Sequence, residues 1–148
     1  MAISIWEFAL TQAVLALPPP PESSEAGAVV DFLGVVRGTE DGAALEGIDY
    51  EWHAQMALPQ LERIGWETAA KFPLLPGCQL HHRVGFVPAG EASLALRICC
   101  AHRGPALAAT GWLVERLKLV VPIWKHPRRR DDSAMIRNLP LDAAKVLR

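Results

Sequence analysis

The sequence has little of several residue types, and each shortage excludes a class of protein. It contains three cysteines in 148 residues, Cys78, Cys99 and Cys100, an odd number of which two are adjacent. This pattern provides neither a disulfide framework nor the paired spacing of a metal site, so we interpret them as small buried residues in a reducing cytoplasm. No apolar run approaches the roughly 20 residues that span a bilayer, and the N-terminal segment lacks the features of a signal peptide, so we expect no membrane partner.

Positive charge is nearly missing from the first 62 residues, which contain ten carboxylates and a single basic residue, Arg37. The rest of the chain carries fourteen lysines and arginines against six acids. The net charge of −1 is therefore the sum of −9 in the first 62 residues and +8 in the rest of the chain. A basic half of this kind indicates an anionic ligand or an acidic protein partner. Interleaved aromatic residues, an RNA-binding motif and a glycine-rich phosphate loop are missing, which argues against a nucleic-acid partner.

Hydrophobic residues make up 51% of the sequence and charged residues 21%, which is typical of a globular protein with a buried core. Alternating strand and helix patterns predict an α+β domain with a mostly antiparallel or mixed sheet and packed helices. We expect a single domain over residues 1–148, in which residues 1–26 form a short N-terminal helix and a proline-rich spacer. The predicted strands are 28–37, 46–53, 78–87 and 93–102, the predicted helices are 54–72 and 104–121, and residues 128–148 form a C-terminal tail.

Two lysines around the end of the second predicted helix are the first candidates for chemistry. On a helical wheel with 100° per residue and Leu107 at zero, Lys118 lies at about +20°, within the apolar stripe. Such a lysine either extends past the helix end to solvent or lies half-buried in a pocket wall, where its ammonium meets an anion or loses its proton more easily. Lys125 follows the turn at Pro122, so both lysines can converge on one anionic ligand.

Three further cations stand where an anion could be bound. His102 and Arg103 precede a Gly-Pro pair at the start of a helix, whose free N–H groups attract negative charge such as phosphate. The alternative for His102 is to cap its own strand. Arg37 ends a strand beside a glycine that allows a ligand close to the backbone, or alternatively it pairs with a nearby carboxylate. We interpret the run Arg128–Arg130 as a solvated segment.

Taken together, these residues resemble the large, catalytic subunit of molybdopterin synthase. The resemblance rests on four blocks in the right order, with weaker similarity joining them over roughly residues 27–127. The blocks are GAVVDFLGVVRG (27–38), AHRGPAL (101–107), LK (117–118) and PIWK (122–125). Any one block is weak, but the joint pattern of arginine, His-Arg, lysine and Pro-x-Trp-Lys is specific.

The resemblance implies an α/β-hammerhead fold and a homodimer that forms a heterotetramer with two small ubiquitin-like sulfur-carrier subunits. It implies a cytoplasmic sulfurtransferase that converts cyclic pyranopterin monophosphate (precursor Z) into molybdopterin, using the thiocarboxylate on the carrier's C-terminal Gly-Gly and no metal or cofactor. By position, Lys118 and Lys125 would be catalytic. The substrate would be bound by Val35, Val36, Arg37, His102, Arg103, Lys118, Lys125, His126 and Pro127.

The sequence departs from the family pattern at three places. Pro127 stands where the family usually has an acidic residue, Leu107 stands where it has phenylalanine, and the C-terminal tail lacks the usual tryptophan. Two other interpretations therefore stay open. One is a non-catalytic relative that keeps the fold and the anion pocket, and the other, based on the basic half alone, is a module that binds nucleotide or nucleic acid.

Overall fold

The structure, a computed structural model, describes residues 5–20, 22, 25–73 and 75–131. Within these residues, eight strands and two helices form two sheets and a helical layer, which confirms the predicted α+β class. In chain order the elements are β1 (Ile5–Thr11), β2 (Ala28–Val35), β3 (Thr39–Glu40), β4 (Ala43–Trp52), α1 (Ala57–Lys71), β5 (Gly77–Arg83), β6 (Gly85–Pro88), β7 (Ala92–Cys100), α2 (Arg103–Val120) and β8 (Ile123–Arg129).

The first sheet has the strand order β1-β5-β7-β2 and carries the main core on one face. The β1–β5 pair is parallel, whereas the β5–β7 and β7–β2 pairs are antiparallel. Alternate residues of β7 face the helices, so Leu94, Leu96 and Ile98 are buried in one cluster with Leu61 of α1 and Leu113 of α2. Burial of apolar surface, at about 25 cal/mol per Å², holds both helices on this face.

The opposite face of the first sheet holds a buried arginine. Arg97 on β7 is 3% exposed and binds Asp31 of β2 through two hydrogen bonds, Nε to Oδ1 at 2.6 Å and Nη2 to Oδ2 at 2.8 Å. It also donates to the carbonyl oxygen of Pro18 in the proline-rich spacer. The hydrogen bonds that Arg97 donates to Asp31 raise the pKa of Arg97, so the guanidinium stays charged and ties the spacer to the sheet.

The second sheet is built around β4, which pairs with β3, β6 and β8. Ile48 and Tyr50 on β4 form a small second core with two valines. The chain passes from the first sheet to the second at Gly85, whose φ of +79° is a conformation that other residues disfavour. The prediction of one strand over 78–87 is wrong, because this turn divides the segment into β5 and β6 in different sheets.

The predicted N-terminal helix is wrong for the described residues, since Ile5–Thr11 form the edge strand β1. Trp6 and Phe8 recur at the two-residue period of a strand and pack against the main core. Trp6 stacks on Trp66 of α1 with ring centroids 4.6 Å apart, and the ring of Phe8 occupies the space where Gly65 has no side chain. These contacts with α1, a helix far away in the sequence, stabilise Ile5–Thr11 as a strand.

The other predicted strands and helices are confirmed, with ends that differ by a few residues. Residues 18–27 lack regular secondary structure where they are described, as expected of a spacer. β8 extends to Arg129, so the start of the predicted C-terminal tail belongs to the second sheet, and residues 132–148 lie outside the described residues. Neither described helix combines the length and apolar character needed to cross a membrane.

Candidate active site

A cavity of about 210 Å³ lies where the two sheets meet the C-terminal half of α2. Its floor is apolar and is built from side chains of β2, β7 and α2 that also pack against or belong to the main core. Charged and polar groups complete the wall. The lining includes Val35, Val36, Arg37, Glu40, Tyr50, His82, Ser93, Lys118 and Lys125.

Three cations from three separate segments line this cavity. Arg37 follows the end of β2, Lys118 lies in the last turn of α2, and Lys125 lies on β8. All three residues are exposed, and none forms an ion pair with another described residue. Glu40 is the only carboxylate in the described lining. The cavity therefore has an excess of positive charge and attracts anions.

Lys118 is exposed, so the expectation of a half-buried lysine in the apolar stripe is wrong for the single chain. The buried face of α2 includes Leu113 and Leu117, whereas Leu107, the reference of the wheel, is 62% exposed. Measured from Leu113, Lys118 lies at about 140°, on the flank of the helix that faces the cavity. Apolar residues occur on nearly every side of α2, and hydropathy alone therefore could not locate its buried face.

The structure brings five of the predicted site residues to this one cavity: Val35, Val36, Arg37, Lys118 and Lys125. Val36 is buried, its N–H donates to the carbonyl oxygen of Glu91 at 2.9 Å, and its own carbonyl accepts from the N–H of Gly90 at 2.8 Å. This pair of hydrogen bonds ties the chain after β2 to the β6–β7 turn. It thereby holds the segment that carries Arg37 at the edge of the cavity.

His102 and Arg103 lie at the opposite end of α2 from the cavity. His102 is the N-cap residue of the helix but makes no side-chain capping hydrogen bond, and both residues are exposed. Arg103 and Lys118 are fifteen residues apart on one helix, which corresponds to roughly 22 Å along its axis. Within one chain, His102 and Arg103 therefore do not reach the cavity that the lysines line.

His126 and Pro127 are also outside the lining of the cavity. Side chains alternate along a strand, so His126 points to the face of β8 opposite Lys125. There its Nε2 lies 2.7 Å from Oε2 of Glu51, in an exposed pair across the β4–β8 ladder. Pro127 lies opposite Ile48 in the same ladder.

Arg128 shares the outer face of β8 with His126. Its Nη2 lies 2.9 Å from each carboxylate oxygen of Asp49, and its guanidinium carbon lies 4.0 Å from the centre of the Phe86 ring. Arg128 is therefore an ion-paired residue whose side chain is 41% exposed, while Arg129 and Arg130 are exposed, as expected of a solvated segment. Arg128 links β8 to β4 and β6.

Three buried polar residues of the lining were not predicted as site residues: Tyr50, His82 and Ser93. The hydroxyl of Tyr50 donates to Oγ of Ser93 at 3.0 Å, and its ring meets the ring of His82 edge-on, with centroids 5.3 Å apart and planes at 73°. Burial raises the pKa of Tyr50, and burial lowers the pKa of His82 to about 4. Both residues are therefore uncharged at neutral pH.

The sequence pattern could have identified Tyr50 and His82 as candidates, because each is a polar residue on the buried phase of a strand. Tyr50 shares the inward phase of β4 with Ile48, and His82 shares the inward phase of β5 with Cys78 and Leu80. A polar residue on the buried phase of a strand needs a partner or a function. Together with the cations, these neutral groups suit an organic anion, whose charged groups meet the cations while its uncharged body contacts the floor.

Known proteins share both the sequence pattern and the fold. The family model of the MoaE protein matches residues 7–119. The molybdopterin synthase catalytic subunit of Nostoc sp. is 33% identical over 130 residues, which cover 86% of this chain and 79% of the Nostoc protein.

Two solved structures have the same architecture. The crystal structure of molybdopterin synthase from Staphylococcus aureus matches with a TM-score of 0.77 and 29% identity, covering 84% of this chain and 92% of that chain. A complex of subunits 1 and 2 of molybdopterin-converting factor from Helicobacter pylori matches with a TM-score of 0.58 and 23% identity, over 71% of this chain and 70% of that chain. The fold implied by the resemblance is confirmed, and the chain belongs to the MoaE protein family.

Proposed function

We propose that this chain is the catalytic subunit of a molybdopterin synthase. It transfers sulfur from the thiocarboxylated C-terminus of a small ubiquitin-like carrier to cyclic pyranopterin monophosphate and so forms the dithiolene of molybdopterin. The observation that carries the proposal is the convergence of Arg37, Lys118 and Lys125 on one cavity with an apolar floor. Membership of the family indicates the reaction, and the cavity has the charge that this reaction requires.

The reactants are both anions and repel each other in water. The substrate carries a phosphate, and the carrier tail brings a negatively charged thiocarboxylate. The cations of the cavity stabilise both groups at short range. Lys118 and Lys125 are also proton donors for the oxygen that leaves the substrate when sulfur replaces it. The nucleophile is the sulfur of the carrier, so the protein itself contributes charge and protons.

The cytoplasm is the compartment that fits this function. All three cysteines are buried, and none of them forms a disulfide among the described residues. Thiols without disulfide partners persist in a reducing compartment, whereas small secreted domains commonly use disulfides. This agrees with a role in which no cysteine of the chain reacts.

A homodimer explains why His102 and Arg103 lie far from the lysines. Both residues are exposed at the start of α2, roughly 22 Å from Lys118 along the helix. If they bind substrate as the family pattern implies, they do so in the cavity of a second copy. Each of the two sites then combines Arg37, Lys118 and Lys125 of one chain with the His-Arg pair of the other, and each receives one carrier.

The extended C-terminal tail of the carrier enters beside β2 in this proposal. This strand is an outer member of the first sheet, so its far edge has no strand partner among the described residues. An extended peptide pairs readily with such an edge. β2 ends at Val35 in the lining of the cavity, and this path brings the terminal thiocarboxylate toward Lys118 and Lys125.

Reconstitution tests the function. The purified chain is incubated with thiocarboxylated carrier and precursor Z, and molybdopterin is assayed after conversion to a fluorescent derivative. We expect product that depends on all three components. A chain that binds the carrier and the substrate but forms no molybdopterin is the non-catalytic relative. Salt-sensitive retention on nucleic acid, with none on the carrier, would indicate the nucleic-acid module instead.

Mixed dimers test the shared site. His102→Ala and Lys118→Ala chains with different tags are co-expressed, and the mixed dimer is isolated through both tags. If the sites are shared between chains, one of the two sites in the mixed dimer is intact, and about half of the wild-type activity returns. If each chain builds its own site, both sites carry one defect and activity stays low. Light scattering of the wild type independently measures the expected dimer mass.

A further inference from the structure

His82 is a buried side chain in the wall of the cavity that the proposed function leaves without a role. It lies on β5 opposite Leu94 of β7 and is 5% exposed. It lines the same cavity as Lys118 and Lys125. The blocks that carry the family resemblance do not include it.

The hydrogen bond of His82 shows which of its ring nitrogens can accept a hydrogen bond from a ligand. Its Nδ1 lies 2.7 Å from the backbone carbonyl oxygen of Arg83. A carbonyl oxygen can only accept a hydrogen bond, so Nδ1 carries the hydrogen and donates it. In the neutral ring, Nε2 then holds the lone pair. No described residue makes a hydrogen bond with this nitrogen.

The surroundings of His82 keep its ring neutral. Burial is the largest cause and lowers its pKa to about 4, and the positive charge of Lys125 acts in the same direction, while the hydrogen bond to the Arg83 carbonyl opposes them. The other ionisable groups of the lining are Arg37, Glu40, Lys118 and the hydroxyl of Tyr50, whose ring packs edge-on against His82. At neutral pH, Nε2 is therefore a hydrogen-bond acceptor without charge.

Acceptors are few in this lining, where Glu40 contributes the one carboxylate among the described residues. Arg37, Lys118 and Lys125 can only donate hydrogen bonds, so they satisfy the anionic groups of a ligand but not its own N–H and O–H groups. The hydroxyl of Tyr50 donates to Ser93, and Ser93 donates in turn to the carbonyl oxygen of Gly34 at 3.4 Å. Nε2 of His82 has no such partner among the described residues.

We propose that His82 is a further substrate-binding residue, whose Nε2 accepts a hydrogen bond from an N–H or O–H group of the heterocycle held in the cavity. The inference rests on the proposed function, which supplies a ligand rich in such donors. It also assigns specificity to His82. A ligand of the same charge and shape without that donor leaves a buried acceptor unpaired and binds more weakly.

Two substitutions separate this role from a merely structural one. His82→Asn retains an amide N–H near the position of Nδ1 and can keep the bond to the Arg83 carbonyl, but it loses the acceptor at Nε2. His82→Gln is the matched control, because its longer side chain places an amide oxygen near the position of Nε2. Substrate is titrated by calorimetry into each variant in complex with unthiolated carrier, so that no turnover occurs.

We expect the substrate Kd to rise about tenfold for His82→Asn and to stay within about twofold of the wild type for His82→Gln. In the wild-type complex labelled with ¹⁵N-histidine, the resonance of His82 Nε2 should move on saturation with precursor Z, while Nδ1 stays protonated. This second readout needs no variant, so it decides the matter even if His82→Asn fails to fold.

Equal Kd values for the two variants, or an Nε2 resonance that does not move on saturation, would overturn the inference. If the wild type forms molybdopterin in the same preparation, the proposed function survives that result. If the wild type neither binds precursor Z nor forms product, the proposed function fails and this inference fails with it.

Discussion

Lys125 lies directly opposite Tyr50 in the β4–β8 ladder, and both residues line the cavity. Opposite residues of paired strands project to the same face, so the register of this ladder points Lys125 inward. A shift by one residue would turn Lys125 to the outer face and bring His126 inward. On the outer face, Arg128 binds Asp49, at 2.9 Å from each carboxylate oxygen, and supports the register that places the lysine.

The two lysines are expected to be essential for turnover. Lys118→Ala and Lys125→Ala should each lower kcat by roughly 10²-fold or more, because each removes a positive charge and a proton donor from the site of sulfur transfer. Stability should change little, since both residues are exposed. The matched control is Lys71→Ala, which removes a lysine outside this cavity, over the ring of Trp112. Full activity of the Lys118→Ala chain would contradict the proposed mechanism.

Substitution of Arg37 should affect substrate binding, whereas substitution of Arg128 should affect the stability of the fold. Arg37→Ala should raise the KM for precursor Z about 10- to 100-fold, because a charge-assisted contact is worth roughly 1.5–3 kcal/mol, and it should leave the free energy of unfolding nearly unchanged. Arg128→Ala should do the reverse and destabilise the chain by about 1 kcal/mol, since its pair with Asp49 is partly exposed. Steady-state kinetics and urea unfolding measure the two quantities. The same KM increase in both variants would indicate general electrostatic attraction in place of a defined site.

The stability of the chain should depend on pH through His82. Burial lowers the pKa of His82 from 6.5 to about 4, so between these values the unfolded chain binds more protons and stability falls as the pH decreases. From pH 7 to pH 5, this one group should remove about 2 kcal/mol from the free energy of unfolding. Urea unfolding at both pH values measures the loss, and His82→Gln should lack that part of it. An identical loss in both chains would show that another group is responsible.

The cysteines should be unreactive in the native chain. Burial raises the pKa of Cys78 to about 12, with a further contribution from Cys99, so its reactive thiolate is scarce at neutral pH. Alkylation followed by mass spectrometry should label native Cys78 far more slowly than the denatured chain. Cys78→Ala should keep the kcat of sulfur transfer. Rapid native labelling that stops turnover would point to a cysteine intermediate and contradict the proposal.

Local patterns predicted much of the fold. The alternation of Ile48 and Tyr50 in β4 and the apolar runs of β2 and β7 are properties of neighbouring residues, and all three strands were predicted. β1 was not, because its strand conformation depends on Trp66 and Gly65, about 60 residues away along the chain. The division between β5 and β6 depends on a glycine with positive φ, a value that composition does not reveal.

The site was also predictable only where it depends on local sequence patterns and not on contacts between distant residues. Arg37, Lys118 and Lys125 could be proposed individually from charge and position, and the structure adds that they line one cavity. His82 and Tyr50 could not be placed beside them, because the contact between their rings joins residues of two sheets. The separation of Arg103 from Lys118 was calculable from helix geometry, and it motivates the proposal that two chains share each site.

The central claim is that carrier sulfur reaches the substrate in the cavity that Arg37, Lys118 and Lys125 line. Its most direct test is a single-turnover reaction with carrier whose thiocarboxylate contains ³⁴S, followed by mass spectrometry of both the carrier and the product. We predict that two carriers lose their label and become carboxylates for each molybdopterin formed, because the dithiolene contains two sulfurs, and that Lys118→Ala slows the loss of label and the appearance of product together. Product without label, or loss of label from the carrier at an unchanged rate in the Lys118→Ala chain, would contradict the account.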